Sequence, residues 1–253
     1  MYSIMEVPAY GARGGLRNNA GLKSVRTSII IPTLNEAGNL PLVLPRVPDW
    51  VHELIIVDGC STDGTVEVAR QLRPDARIVL ERRRGKGAAL RAGFGAATGD
   101  VIVMLDADGS MDPQEAILYL GALLAGADFV KGSRFVQGGG TDDMSPIRMT
   151  GNWLLTQAVH LLYGGSFSDL CYGYMGFWRR HLSVLNPDSD GFEIETLLSV
   201  RALCSGLRIF EVPSFEASRV HGVSNLRTLP DGWRVLKTIL RERVTVGLGS
   251  VVR

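Results

Sequence analysis

The stretch Ile102-Val-Met-Leu-Asp-Ala-Asp-Gly-Ser110 runs an apolar segment into two aspartates, Asp106 and Asp108, spaced two apart. Short β-branched apolar runs bounded by turn residues read as buried strands. A buried strand that closes on carboxylates puts charge at one edge of a sheet. The same design occurs twice upstream. Ser28-Ile-Ile-Ile-Pro32 is followed by Asn35 and Glu36, and Glu53-Leu-Ile-Ile-Val-Asp58 closes on Asp58 before the turn Ser61-Thr-Asp-Gly-Thr65. Arg77-Ile-Val-Leu80 adds a further strand. Helical patterns lie between them: one with Leu40, Val43 and Leu44 on one side, one through Leu72, and one opening at Gly85-Lys-Gly-Ala-Ala-Leu90 that is crowded with small residues. This alternation predicts βαβ units, an α/β fold with a Rossmann-like, mostly parallel sheet and helices on both faces. In open sheets of this kind ligands bind at the carboxyl ends of the strands.

At 253 residues and 45% hydrophobic, the chain can bury a substantial core. Its 27 Lys plus Arg against 26 Asp plus Glu leave no field that argues for nucleic acid. The three cysteines, Cys60, Cys171 and Cys204, lack paired metal-type spacing and suit a reducing compartment. Residues 1–24 lack the apolar core of a secretory signal and read as a flexible tail. The apolar stretches 117–130 and 153–163 fall short of the roughly 20 residues of a spanning helix. The expected location is cytoplasmic, peripheral on the inner membrane face. Domain expectations are one domain over 25–243, with a nucleotide-binding half at 25–110, an acceptor-binding half at 111–243, and a C-terminal tail at 244–253.

Asp112-Pro-Gln-Glu115 reads as a helix start, with Asp112 as cap, Pro113 at the first position and Glu115 completing a capping box. Asp106 and Asp108 have no such role. Two carboxylates converging without a basic neighbour repel each other unless a cation joins them, and Mg²⁺ is commonly held by one or two carboxylates with water and substrate phosphates. That points to a nucleoside diphosphate ligand. No Gly-x-x-x-x-Gly-Lys-Ser/Thr phosphate cradle is present, so the metal would neutralise the phosphates, with Lys86 assisting.

Pro32-Thr-Leu-Asn-Glu36, Val57-Asp-Gly-Cys-Ser-Thr-Asp-Gly-Thr65, Arg84-Gly-Lys-Gly-Ala-Ala89 and Leu105-Asp-Ala-Asp108 together resemble glycosyltransferase family 2, which has the GT-A fold. Within it, the subgroup resembled is the dolichol- or polyprenol-phosphate mannose and glucose synthases, over residues 25 to about 226. The resemblance implies transfer of a hexose from a GDP- or UDP-sugar with inversion. It implies donor binding by Pro32, Thr33, Asn35, Glu36, Asp58, Lys86, Asp106 and Ala107, with Asp58 reading the base. It also implies Mg²⁺ or Mn²⁺ on Asp106 and Asp108, and a catalytic set of Asp108, Glu195 and Arg134. Acceptor contacts would come from Arg134, Asp169, Arg219 and Ser224. Three positions depart from the pattern: Gly59 where a second acid is frequent, Ser110 where Gln is a common further ligand, and Gly222-Val-Ser-Asn225 in place of a late Gly-x-Ser-Lys.

Two acceptor classes fit. A lipid phosphate is already an anion at neutral pH and needs cations, for which Arg134, Arg148, Arg219, His221 and Arg227 are available. A hydroxyl needs a base, and Glu195 in Glu195-Thr-Leu-Leu-Ser-Val-Arg201 resembles the family's proton acceptor. Residues 229–243 carry Trp233, Leu236, Ile239 and Leu240 on one helical side, the pattern of an interfacial helix or of one packed on a core. A sugar-phosphate nucleotidyltransferase is disfavoured, since no Gly-rich loop with lysine follows the first strand. A non-catalytic nucleotide-sugar-binding module is a more remote alternative.

Overall fold

The computed structural model describes residues 25–222 and 227–249, with side chains placed through Val244. The 1–24 tail and Ser224 lie outside the described residues. Seven strands form one sheet in the order β3-β2-β1-β4-β7-β5-β8. They are β1 (Thr27–Thr33), β2 (Glu53–Asp58), β3 (Arg77–Leu80), β4 (Val101–Met104), β5 (Phe129–Ser133), β7 (Met175–Trp178) and β8 (Ile209–Pro213). Strands β1 to β4 are mutually parallel, as the apolar runs predict, and β5 pairs with β8 in parallel. Strand β7 runs antiparallel between β4 and β5. A second small sheet joins β6 (Gly140–Thr141) to β9 (Phe215–Glu216).

Both faces of the sheet are covered. Helices α1 (Leu40–Val43), α2 (Thr65–Leu72) and α4 (Ala116–Leu124) pack on one face with Ile29, Ile31, Leu54, Ile56 and Val103. Helices α3 (Lys86–Ala96), α6 (Leu182–Leu185) and α7 (Ile194–Cys204) cover the other with Ile30, Ile55, Val57, Ile102 and Phe177. The alternation within each strand is therefore apolar to both sides, which is why the sequence shows continuous runs. Gly93 explains how close α3 lies: a Cβ there would sit 2.5 Å from Ile30 Cγ2 and 3.0 Å from Val57 Cγ2. A third cluster joins α5 (Pro146–Tyr163), α7 and α8 (Thr228–Gly249) through Val159, Val200, Val235 and Ile239.

Several elements differ from the sequence reading. The helix expected from about 153 begins at Pro146, capped by the Ser145 side chain, which accepts from the Arg148 N–H at 3.3 Å. The final helix continues to Gly249, past the expected start of a tail at 244. The capping box does not form. Asp112 accepts from the Gln114 N–H at 3.0 Å, but Glu115 turns to the Ser214 hydroxyl and the Phe215 N–H. On α8 the expected stripe divides, with Ile239 buried, Leu236 half-buried and Trp233 and Leu240 exposed, while Val235, outside that stripe, joins Ile239 in the core. No helix among the described residues is long and apolar enough to cross a membrane.

Candidate active site

A cleft of about 920 Å³ opens at the carboxyl ends of β1, β2, β3 and β4, where the strand order reverses between β1 and β4. That volume suits a nucleotide sugar with room for a second substrate. Pro32 and Thr33 end β1 and Glu36 follows it, Asp106, Ala107 and Asp108 follow β4, and Lys86 opens α3; all line the cleft. Arg134, Glu195 and Arg219 line it from the second half of the chain. Ten of the residues expected to bind donor, metal or acceptor or to act in catalysis therefore share one cavity.

Asp106 and Asp108 are not without basic neighbours, contrary to the simplest reading of the sequence. Lys86 Nζ lies 2.5 Å from Asp106 and also bonds Glu195. Arg219 lies 2.9 Å from Asp108 and 3.2 Å from Glu36. Burial pushes the Asp106 carboxyl up to about 6, with Asp108 and Glu195 adding to the rise and Lys86 opposing it. Burial works against the Lys86 ammonium too, but the charges of Asp106 and Glu195 outweigh it and hold it above its ordinary value. The carboxylates thus exceed the cations that face them. Ser110 does not stand in for a glutamine ligand: its hydroxyl and N–H donate to one oxygen of Asp108, at 2.7 and 3.0 Å.

The donor set fits a hard divalent ion. Both carboxylates border the cleft, and among the described residues no group of three or more His, Cys, Asp or Glu is arranged to enclose a metal. Two protein oxygens would leave the remaining positions to water and phosphate, the habit of Mg²⁺ and Mn²⁺ rather than of zinc.

Asp58 and Asp169 are buried behind the wall, and Asn35 is exposed but outside the cleft lining. Asp58, 1% exposed, accepts from the Ser61 N–H at 2.9 Å and from the Thr33 hydroxyl at 3.3 Å, and so holds the turn after β2. Asn35 adopts the left-handed conformation, φ 57°, and accepts from the Thr62 N–H at 2.9 Å. Asp169 has no exposed surface and grips Arg134 through both oxygens, at 2.6 and 2.9 Å, so it reaches the cleft only through that guanidinium. Arg134 also meets Glu216 at 2.9 Å and stands over the Tyr172 ring.

Sequence reasoning missed Glu216 and Gly173. A Cβ on Gly173 would meet Glu195 Oε1 at 2.7 Å, Lys86 Nζ at 2.9 Å and Asp106 Oδ2 at 3.3 Å. This glycine lets the Lys86 junction close against the cleft floor, and only its place in the Asp169-Leu-Cys-Tyr-Gly-Tyr174 stretch hinted at it. Arg82, Arg83 and Arg84 also line the cleft, and the signal was present: three consecutive arginines at the carboxyl end of β3.

Comparison with known proteins agrees with this geometry. The family model for glycosyl transferase family 2 matches residues 28–185. The polyprenol monophosphomannose synthase of Mycolicibacterium smegmatis is 36% identical over 237 residues, covering 88% of this chain and 89% of its own. The undecaprenyl-phosphate mannosyltransferase of Micrococcus luteus is 35% identical over 214 residues, covering 80% of this chain and 88% of its own. Among solved structures, glucosyl-3-phosphoglycerate synthase from Mycobacterium tuberculosis, in complex with Mn²⁺, UDP and glucosyl-3-phosphoglycerate, superposes with a TM-score of 0.70 at 26% identity, over 88% of this chain and 81% of that one. A GT-A sheet with paired aspartates after its fourth strand, and these relatives along nearly the whole chain, lead to one assignment: the protein is a glycosyltransferase and belongs to glycosyl transferase family 2.

Proposed function

We propose that the enzyme transfers a hexose, with inversion, from a GDP- or UDP-sugar to the phosphate of a polyprenyl or dolichyl phosphate. Residues 25–110 would hold the donor and 111–243 the acceptor within one domain. The observation that carries this reading is the state of Glu195. The carboxylate best placed to be a base is bonded to Lys86, while Arg134, Arg148 and Arg219 line the same cleft. A wall of guanidinium groups suits an acceptor that arrives as an anion, and such an acceptor needs no base. The names of the Mycolicibacterium and Micrococcus relatives, both specifying polyprenol-type acceptors, support the same choice.

Asp106 and Asp108 would hold Mg²⁺ or Mn²⁺, which when bound neutralises the diphosphate and stabilises charge on the leaving group. Ser110 orients Asp108 for that role through its two hydrogen bonds. Lys86 fixes Asp106 in place, and Arg219, paired with Glu36 and Asp108, is placed at the cleft to meet incoming phosphate oxygens. Arg134, held rigid by Asp169 and Glu216, presents its edge to the acceptor. The lipid would be met at the cytoplasmic membrane surface, with residues 229–243 of α8 against the bilayer.

Incubation with radiolabelled GDP- and UDP-sugars, Mg²⁺ or Mn²⁺ and polyprenyl phosphate tests the reading. Label extracted into organic solvent is expected; label transferred only to a hydroxyl acceptor would favour the alternative in which Glu195, freed from Lys86, takes a proton.

A further inference from the structure

One buried cation lies outside the roles given so far. Lys131, in the middle of β5, has no exposed surface. Its ammonium donates to the Tyr172 carbonyl and makes no ion pair among the described residues. A lysine enclosed this way is expensive in free energy, since burial disfavours its charge, and among the described residues its one hydrogen bond is to a neutral oxygen. The surroundings explain what the charge does. In register beside Lys131 on the sheet is Glu211 of β8, and Asp169 and Glu195 act on it with Arg134 opposing. Arg134 itself is one cation set against two carboxylates, Asp169 and Glu216. Without Lys131 the wall of Cys171, Tyr172 and Arg134 would present a net negative charge to the cleft.

We propose that Lys131 is a positioning residue for the acceptor: a hidden counter-charge that keeps this wall from repelling an anionic phosphate. The inference rests on the lipid-phosphate reading above. A charge behind the wall is screened by water and salt much less than one on its surface. The groups that face Lys131 are Asp169, Cys171, Tyr172, Glu195, Glu211 and Arg134. Burial pushes the Cys171 thiol up to about 12 and the Tyr172 phenol well above its ordinary value, while burial lowers the Lys131 ammonium. Raising the pH therefore discharges Lys131 before Cys171 or Tyr172 ionises, and acceptor binding should weaken along with it.

The test uses the full chain, a short-chain isoprenyl phosphate in detergent, a saturating sugar nucleotide and pH as a variable. Lys131→Met is expected to raise the acceptor KM about tenfold, the order of effect of one charge across a poorly polarisable wall. The donor KM should stay within about twofold, and the alkaline rise of acceptor KM expected of the wild type should be absent. Lys131→Gln keeps a donor for the Tyr172 carbonyl without the charge, and must behave like Lys131→Met. An unchanged acceptor KM in Lys131→Met, wild-type behaviour in Lys131→Gln, or an alkaline rise that persists in either variant would each overturn the inference while leaving the acceptor assignment standing. Absence of transfer to isoprenyl phosphate by the wild type would instead remove the acceptor assignment, and this inference with it.

Discussion

Asp106, Asp108 and Lys86 show how far single side chains decide the chemistry. Asp108→Ala removes one of the two carboxylates proposed to hold the metal and leaves Arg219 with Glu36, so the fold should survive. Turnover should fall by roughly 10²-fold or more, as when an electrostatic stabiliser of developing charge is lost, and Mn²⁺ binding followed by electron paramagnetic resonance should weaken in parallel. A melting temperature that collapses with activity would assign Asp108 a structural role instead. Asp106 makes a pH prediction. Its carboxyl sits at about 6, above the ordinary value, because burial and the neighbouring Asp108 and Glu195 favour the proton. Metal requires the ionised form, so Mn²⁺ affinity should be nearly constant above this value and fall by up to tenfold per pH unit below it. The sign for folding is opposite: a raised carboxylate pKa destabilises the ionised protein, so the metal-free enzyme should gain stability as pH falls through this range. Affinity that is flat down to pH of about 5 would sink the assignment. At Arg134 the expectation concerns stability. Asp169→Asn leaves a buried guanidinium with Glu216 alone, and urea unfolding should show a loss of about 3 kcal/mol.

Elements differ in how openly the sequence declares them. Strands β1, β2 and β4 were legible because helices cover both faces of the sheet, so every side chain in Ile29-Ile-Ile31 or Val101-Ile-Val103 is apolar. Strand β7 was not. Met175-Gly-Phe-Trp178 is only four residues long, carries a glycine, and becomes a strand because β4 and β5 lie on either side of it, a pairing set by distant parts of the chain. The paired aspartates were legible from position, but the Lys86 contacts were not, because they depend on how α3 meets the loop before α7. That meeting is made by glycine. A Cβ on Gly87 would lie 2.8 Å from the Asp190 carbonyl carbon and 2.9 Å from the Gly191 oxygen. Gly87→Ala should therefore force α3 away from this loop, costing about 2 kcal/mol as overpacking does. Because Lys86 precedes it, activity should fall more than stability alone explains. Urea unfolding beside steady-state kinetics checks both; an alanine variant with wild-type values would mean that the loop yields freely.

At the scale of the whole molecule, the cleft and the exposed apolar residues belong to one surface problem. Helices α5 and α8 pack against each other, and each turns large apolar groups outward: Trp153 is 58% exposed, Leu161 87% and Trp233 67%. An ordinary surface helix does not leave two tryptophans and several leucines in water, whereas amphipathic tryptophan rings are at home where hydrocarbon meets headgroups. Helix α5 also carries Arg148, which lines the cleft about one and a half turns before Trp153 along the same helix. A lipid whose phosphate enters the cleft past Arg148 would leave its hydrocarbon beside this face, so binding the bilayer and binding the acceptor call for the same orientation. The full chain is therefore expected to float with vesicles containing anionic lipid. The double substitution Trp153→Glu and Trp233→Glu should weaken that partition about tenfold. Turnover of a short-chain acceptor in detergent should be unaffected, since neither ring lines the cleft. Wild-type protein that stays with the aqueous fraction, or a double variant that floats equally well, would show that these helices meet something other than a membrane.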